Sequence, residues 1–300
     1  MTSVDNVENM PIKVRPATKK RSQIKAIAFR FKKNKLAVFG LVLLTVIFMI
    51  SILADFVVDF DTAINQNMQV RLQPPSREHI FGTDQYGRDM FARIIHGSRV
   101  SLFVGLISIG ISLAIGVVIG STAGFYGGRI DNVIMRFMDV LLAIPQTLMA
   151  ISVVAALGPG IRNLLIAMIV SSIPRFSRIV RSSILSISGQ EFVEAAKACG
   201  TSDFRIVARH IIPNAIGPIV VQATLNMAAT IIAIAGLSFI GLGIEPPNPE
   251  WGSMLSEGKA QMRYYPHLVV IPGIAIVLAV MGLNLIGDGL RDSLDPRLKN

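Results

Sequence analysis

Charged residues, cysteine and tryptophan are all scarce in this 300-residue sequence. Asp, Glu, Lys and Arg together make up only 16%, whereas hydrophobic residues make up 52% and the mean hydropathy is +0.57. This balance excludes an ordinary soluble domain and is typical of a polytopic membrane protein. The single cysteine, Cys199, excludes an intrachain disulfide.

Motifs that hold nucleotides, metals or catalytic groups are also missing. The nearest approach to a P-loop, at residues 252–260, has five spacer residues instead of four and an alanine where Mg²⁺ needs a hydroxyl. The four histidines form no H-x-x-H pair, and no G-x-S-x-G segment occurs. We therefore expect no enzyme activity, no metal site and no cofactor in this chain, and a membrane-embedded enzyme is disfavoured.

Long uncharged runs are abundant. A helix needs about 20 apolar residues to cross ~30 Å of hydrocarbon. Suitable runs lie at residues 36–54, 100–128, 140–161, 211–244 and 268–287, with a weaker run at 160–178. We predict an all-α membrane protein with six transmembrane helices, because the alternating ten-residue segments of a membrane barrel are absent.

The charge pattern predicts an orientation. The first 35 residues carry ten Lys or Arg against two acidic residues, which by the positive-inside rule places this tail in the cytoplasm rather than on nucleic acid. Six spans then return the C-terminus to the same side. We expect a cytoplasmic basic tail at 1–35, a first transmembrane helix and outer loop at 36–99, a core of five transmembrane helices at 100–290 and a cytoplasmic C-terminal tail at 291–300.

Few ionisable groups lie at the centres of these predicted spans. Secondary carriers usually keep such groups there as relays, so a stand-alone carrier or channel is disfavoured. The remaining polar residues are interpreted as interhelical hydrogen-bonding groups rather than substrate ligands: Gln146, Gln222, Asn226 and Asn284.

Three glycines spaced four apart, Gly116, Gly120 and Gly124, make a flat helix face in the second span. Packing within the chain is the favoured interpretation of this face. Contact with a second chain is the alternative.

A polar insertion at residues 191–213 interrupts the apolar core. Residues 191–198 have the composition of a helix, and Gly200 is suited to ending it in a left-handed conformation. Residues 201–203 can cap a second helix at 204–210, which would lie along the membrane before Pro213 starts the fifth span. On these grounds a solvated loop and a docking element are equally expected.

Several segments of the sequence resemble the permease subunits of bacterial ABC importers. Their coupling element reads E-A-A, three residues, G, nine residues and I-x-L-P. It is matched here by Glu194, Ala195, Ala196, Gly200 and Pro213, with His210 and Ile212 departing from the pattern. Further segments resemble the C-type permease of dipeptide, oligopeptide and nickel importers: residues 81–89, 97–102, 139–145, 236–243, 249–255 and 288–297.

This resemblance implies an inner-membrane subunit that forms half of a translocation path for di- or oligopeptides. A permease for nickel or another small solute is the alternative. The implied partners are a second homologous permease in a heterodimer, an extracytoplasmic solute-binding protein and two ATPase subunits, which would bind ATP and Mg²⁺ and receive the coupling element. Candidate contacts of the binding protein, or structural residues of the outer loop, are Gly82, Thr83, Asp84, Arg88, Asp89 and Trp251.

Overall fold

The computed structural model describes residues 23–294, which are helical apart from loops and one isolated bridge between Thr83 and Asp89. The predicted tails at 1–22 and 295–300 lie outside this range. The α-helices are α1 Gln23–Lys33, α2 Lys35–Ile52, α3 Ala54–Val57, α4 Phe60–Ile64, α5 Met90–Tyr126, α6 Gly128–Leu142, α7 Gln146–Leu157, α8 Ile161–Ser188, α9 Glu191–Ala198, α10 Asp203–Ile206, α11 Ile212–Phe239, α12 Trp251–Gly258 and α13 His267–Leu294. Short 3-10 turns occupy Met68–Val70 and Lys259–Gln261, and a π-helical segment occupies Val207–Ile211.

Five of these helical segments are long and apolar enough to cross a membrane: α2, α5, α8, the segment from α10 to α11, and α13. Helices α6 and α7 make a sixth if they are counted as one span, although they meet at an angle of 81°. The all-α prediction is confirmed, with five or six candidate spans.

The third predicted span, residues 140–161, is not a single helix. The chain leaves α6 after Leu142 and starts α7 at Gln146, directly after Pro145. Proline lacks an N–H and disfavours the helical conformation of the residue before it, so the helix breaks at this point. The prediction of one continuous span was wrong here, because a count of apolar residues does not register the effect of this proline.

The fourth predicted span is longer than expected. Residues 160–178 were expected to form a weak span, whereas α8 runs for 28 residues from Ile161 to Ser188. Arg175 therefore lies near the middle of this helix.

The helices place two groups of short elements at opposite ends of the bundle. At one end, called here the tail end, α1 contacts the last turn of α13, and Arg30 Nη1 donates to the Ser293 carbonyl at 3.4 Å. The insertion with α9 lies at this end too, since Gly217 near the start of α11 contacts Leu294. The other end, called the loop end, carries α3, α4 and α12.

Helices α5 and α8 pack closely against each other in the middle of the bundle. A Cβ atom added to Gly116 would lie 2.6 Å from Phe176 Cβ, and one added to Gly120 would lie 2.8 Å from Val180 Cβ. Gly124 is similarly close to Ile184. The three-glycine face is therefore occupied by α8 of the same chain, which leaves no room there for the alternative of a second chain.

Candidate functional site

Helix α9 has the bounds that the sequence predicts, Glu191–Ala198. Two glutamates in its first turn favour the positive end of the helix dipole, and its alanines are strong helix formers. Gly200 ends it with a φ of +72°, where its N–H donates to the Lys197 carbonyl at 2.9 Å. The Thr201 N–H donates to the Ala196 carbonyl at 3.1 Å, which completes a Schellman cap.

One side of α9 is anchored in an apolar cluster at the tail end of the bundle. Val193 is fully buried there and joins residues of α8, α10 and the segment leading into α11. The cluster consists of Val180, Ile184, Ile187, Val193, Ile206, Ile211, Ala215 and Ile219. Because α8 and α11 both contribute to it, a force applied to α9 reaches two candidate spans directly.

The other side of α9 is exposed and carries the matched residues of the E-A-A element. Glu194, Ala195 and Gly200 are exposed, and Ala196 is half-buried. Within residues 23–294 the Glu194 side chain makes no hydrogen bond or ion pair. Phe204, just beyond the turn, has 82% of its surface exposed. An exposed aromatic beside small side chains is typical of a surface that a partner covers.

The second half of the insertion differs from the prediction. Residues 204–210 do not form a separate surface helix, because α10 continues through the π-helical segment into α11. Ile206 and Ile211 are both fully buried in the apolar cluster, and a continuous helix keeps both there. Pro213 cannot donate to the Arg209 carbonyl, and the π-helical segment lies where that carbonyl would otherwise clash with its ring.

The loop end contains a buried cluster of charges. Arg88 Nε donates to Asp84 Oδ2 at 2.6 Å, and Arg88 also pairs with Glu257 of α12. Arg93 Nη2 donates to the same Glu257 oxygen at 2.9 Å. Both arginines are almost completely buried. The sequence analysis singled out Asp84 and Arg88 but missed Arg93 and Glu257, since nothing in the spacing links α5 to α12.

The other residues singled out in the outer loop have structural contacts. Asp89 caps α5 by accepting from the Ala92 N–H at 2.9 Å, and its second oxygen lies 2.8 Å from His79 Nδ1. Thr83 Oγ1 accepts from the Gln73 N–H at 2.9 Å. Gly82, with a φ of +76°, makes the turn between these contacts.

Trp251 and the residue before it fasten α12 to α5. The Trp251 indole donates to the Ile94 carbonyl at 3.1 Å. Glu250 is fully buried and caps α12 by accepting from the N–H groups of Gly252 and Ser253, each at 2.8 Å. Burial raises the pKa of the Glu250 carboxyl, while these two hydrogen bonds act in the opposite direction.

Ion pairs also join α6 to α8 at the tail end. Arg181 makes two hydrogen bonds of 2.5 Å to Asp131, and Arg178 Nη2 lies 2.6 Å from Asp139 Oδ1. These pairs line an open cleft of about 970 Å³ between the two helices. The sequence does not indicate this cleft or these ion pairs, because nothing in the spacing of the aspartates of α6 links them to the arginines of α8.

Two of the four polar residues that the sequence places inside spans bond to another helix. Gln146 of α7 donates to Ser172 Oγ at 3.2 Å, and Asn226 of α11 accepts from Arg175 Nη1 at 3.0 Å. The Gln222 carbonyl accepts from Asn226 of the same helix at 2.9 Å. The interhelical interpretation therefore fits Gln146 and Asn226.

These features define a helical membrane protein: a bundle of candidate spans with an exposed helix and turn at one end and a loop held by buried ion pairs at the other. Residues 116–300 match the family described as "Binding-protein-dependent transport system inner membrane component". Residues 22–75 match the "N-terminal TM domain of oligopeptide transport permease C". The chain belongs to the first of these families. It is a permease subunit of an ABC importer and an inner-membrane protein, not an enzyme, since the ATPase activity of such importers resides in separate subunits.

Characterised relatives cover nearly the whole chain. The chain is 46% identical over 271 residues to the dipeptide transport system permease protein DppC of Alkalihalophilus pseudofirmus, covering 90% of this chain and 89% of the relative. It is 43% identical over 270 residues, with the same shares covered, to the glutathione transport system permease protein GsiD of Escherichia coli.

Solved structures share the fold. An inward-facing structure of the MetNI methionine ABC transporter matches with a TM-score of 0.58 at 17% identity, covering 69% of this chain and 98% of that chain. An amino acid ABC transporter crystallised with histidines matches with a TM-score of 0.53 at 19% identity, covering 67% and 94%. At these identities the likeness shows the fold alone.

Proposed function

We propose that this chain forms half of a translocation path for di- and oligopeptides and pairs with a second, homologous permease. The names of the two relatives support this cargo class, since one is a dipeptide permease and the other a glutathione permease. Glutathione is itself a tripeptide, so both names indicate small peptides with free carboxylates.

Coupling to ATP hydrolysis is proposed to occur through α9. The observation that carries this proposal is the contrast between its two sides. Val193 anchors one side in the apolar cluster, whereas Glu194 and Ala195 are exposed on the other. Small side chains allow a partner to approach closely, and Glu194 can accept charge-assisted hydrogen bonds from it. Two ATPase subunits, which bind ATP and Mg²⁺, would grip this surface in the assembled importer.

The movement that we propose for α9 and the helices attached to it is a rigid-body movement. When the ATPase subunits close, α9 moves with them, and the apolar cluster transmits the displacement to α8 and α11. Nucleotide then biases the permease pair between inward- and outward-facing states. This chain contributes α9 and half of the translocation path, and the nucleotide-binding subunits supply the energy.

The proposed topology places the tail end in the cytoplasm and the loop end outside. Residues 1–35 and 291–300 would be cytoplasmic tails, residues 36–99 the first span and outer loop, and residues 100–290 the core. The loop end would then face the solute-binding protein. Its polar side chains are largely used within the chain, so we assign Gly82, Thr83, Asp84, Arg88, Asp89 and Trp251 a bracing role in that surface.

The test of coupling replaces two exposed residues of α9, Ala195 and Glu194. Ala195→Arg puts a long cation where a partner must approach closely, and Glu194→Lys reverses the exposed charge. Both variants should reach the membrane at the parental level but lose at least tenfold in peptide uptake and in co-purification of the ATPase subunits. Ala28→Arg is the matched control, because Ala28 is an exposed alanine on α1 at the same end.

Parental uptake and parental co-purification in Ala195→Arg and Glu194→Lys would contradict the coupling role of α9. Uptake of peptide by this chain reconstituted alone, driven by an ion gradient, would contradict its role as a subunit of an ATP-driven importer.

A further inference from the structure

One side of α8 bears a row of exposed polar residues in the half that leads to the tail end. Arg175, Arg178, Ser182 and Ser186 are all exposed. They recur every three or four residues, so they share one face of the helix. In the loop-end and middle part of α13 the exposed side chains are instead apolar, as expected of a surface that faces lipid: Val270, Ile274, Val277 and Met281.

Arg175 lies at the middle of α8, which is one of the five candidate spans. Ile161 is 14 positions before it and Ser188 is 13 positions after it, so about 20 Å of helix extends in each direction. A cation at this depth is costly in contact with lipid tails and is found facing a bundle interior or a water-filled cavity. The open cleft between α6 and α8 lies beside the same half of α8, and its lining includes Arg178.

The charge of Arg175 is not neutralised by the described part of the chain. Arg178 and Arg181 of the same helix are each paired with an aspartate of α6. Arg175 instead donates to the neutral amide oxygen of Asn226 at 3.0 Å, and no carboxylate within residues 23–294 forms an ion pair with it. Asn226 thus holds one side of the guanidinium, and its other N–H donors remain available.

We propose that Arg175 lines the translocation path and binds an anionic group of the passing solute, a carboxylate in a peptide. This inference rests on the proposed function for the identity of the cargo. The planar guanidinium suits carboxylate oxygens, and Asn226 fixes its orientation without cancelling its charge. Solutes with an additional carboxylate are therefore favoured by the permease itself, independently of the binding protein that delivers them.

The test compares dipeptides in proteoliposomes that contain the complete importer and its binding protein. Alanyl-glutamate and alanyl-glutamine have nearly the same shape and differ in one negative charge. Arg175→Gln should lower the ratio of their uptake rates about fivefold, as one charge pair in a wet channel implies. Because the binding protein is unchanged, its own preference cancels when variant and parent are compared. Arg175→Lys should keep most of the preference.

Arg162→Gln is the matched control for loss of charge. Arg162 is exposed on the same helix but lies at the loop end, about 20 Å from Arg175. This variant should leave the ratio unchanged. An equal loss of uptake for both dipeptides in Arg175→Gln would overturn the inference, since it would show a role in assembly or packing. An unchanged ratio would overturn it as well.

A second measurement separates this inference from the cargo assignment. In a Cys199→Ser background, Arg175→Cys should react with a membrane-impermeant thiosulfonate reagent, whereas Val277→Cys on the apolar face of α13 should not. Absence of reaction at position 175 would show that it does not face water and would overturn the inference. Reaction at position 175 in an importer that carries none of these dipeptides would contradict the peptide assignment and still support an aqueous path along α8.

Discussion

The two ends of the bundle differ in whether their charged side chains are buried and paired within the chain. At the loop end, Asp84, Arg88, Arg93 and Glu257 are brought together by α5, the outer loop and α12, and they neutralise one another in a largely buried cluster. At the tail end, Glu194 is exposed and makes no hydrogen bond or ion pair within the described residues, and Phe204 is almost fully exposed beside it.

The buried charged side chains at the loop end therefore find their partners within the chain, whereas Glu194 at the tail end has none among the described residues. Buried charges that pair within the chain stabilise one arrangement of the outer loop. The exposed carboxylate of Glu194 on a short helix anchored by Val193, together with the exposed aromatic ring of Phe204 beyond the following turn, is suited to contact with another protein. Substitutions should therefore affect stability at the loop end and coupling at the tail end.

The largest effect is expected at Arg88. Arg88→Met removes the closer of the two arginine partners of Asp84 and one of the two partners of Glu257, and should lower the free energy of unfolding by about 3–5 kcal/mol. Thermal unfolding of the purified permease in detergent measures this loss. Arg77→Met, an exposed arginine of the same loop, should have almost no effect. Equal effects of the two variants would show that the cluster does not brace the loop.

The next effect tests the packing of α5 against α8, the two helices that connect both ends of the bundle. Gly120→Val places a side chain against Val180 and the Arg181 backbone, and overpacking of this kind costs about 1–3 kcal/mol. Gly110→Ala on the same helix meets no atom within 4 Å and should be neutral or stabilising by up to about 1 kcal/mol. The unfolding temperatures of the two variants measure this difference. A Gly120→Val protein as stable as the parent would refute the close approach of α5 and α8.

Val193→Ala should separate coupling from stability. The substitution removes buried apolar surface worth about 1–2 kcal/mol beneath α9 and loosens the helix locally. Hydrogen exchange should become faster in residues 191–200 while α5 and α12 stay protected, and transport should decrease although global unfolding changes little. Unchanged exchange at α9 would show that Val193 does not anchor it.

The smallest effect concerns Glu250 and depends on pH. Its folded pKa is raised by burial, so protonation favours the folded state. The stability that it contributes is full below its ordinary pKa and is lost as pH rises through the folded value. Glu250→Gln removes this titration and leaves one backbone N–H of α12 without its acceptor, at a cost of about 1 kcal/mol. Unfolding temperatures should show the parent's advantage shrinking with rising pH, and an advantage that grows would contradict the shift.

Local patterns in the sequence predicted the elements that depend on neighbouring residues. The apolar runs indicated the candidate spans, and the alanines and Gly200 indicated α9 with its cap. The break after α6 depends on Pro145, which a count of apolar residues overlooks. The length of α8 was underestimated because arginines interrupt its apolar run, whereas Arg178 and Arg181 are paired with aspartates of α6 in the folded chain.

Contacts between distant segments could not be read from the sequence. Glu257 joins Arg88 and Arg93 only because α12 folds back onto α5, and nothing in the spacing of these residues indicates that contact. Similarly, the continuous helix from α10 to α11 depends on the burial of Ile206 and Ile211 in a cluster to which α8, α9 and α11 all contribute. The turn signals at 201–203 could not reveal that packing.

The native cysteine provides the most direct test of the central claim that the tail end is cytoplasmic and that α9 binds the ATPase subunits. Cys199 is exposed at the end of α9 and is the only cysteine in the chain. A membrane-impermeant maleimide should label it in inside-out vesicles but not in right-side-out vesicles. Assembly with the ATPase subunits should slow labelling at least tenfold. Labelling from the outer side, or a rate that the ATPase subunits do not change, would contradict the account.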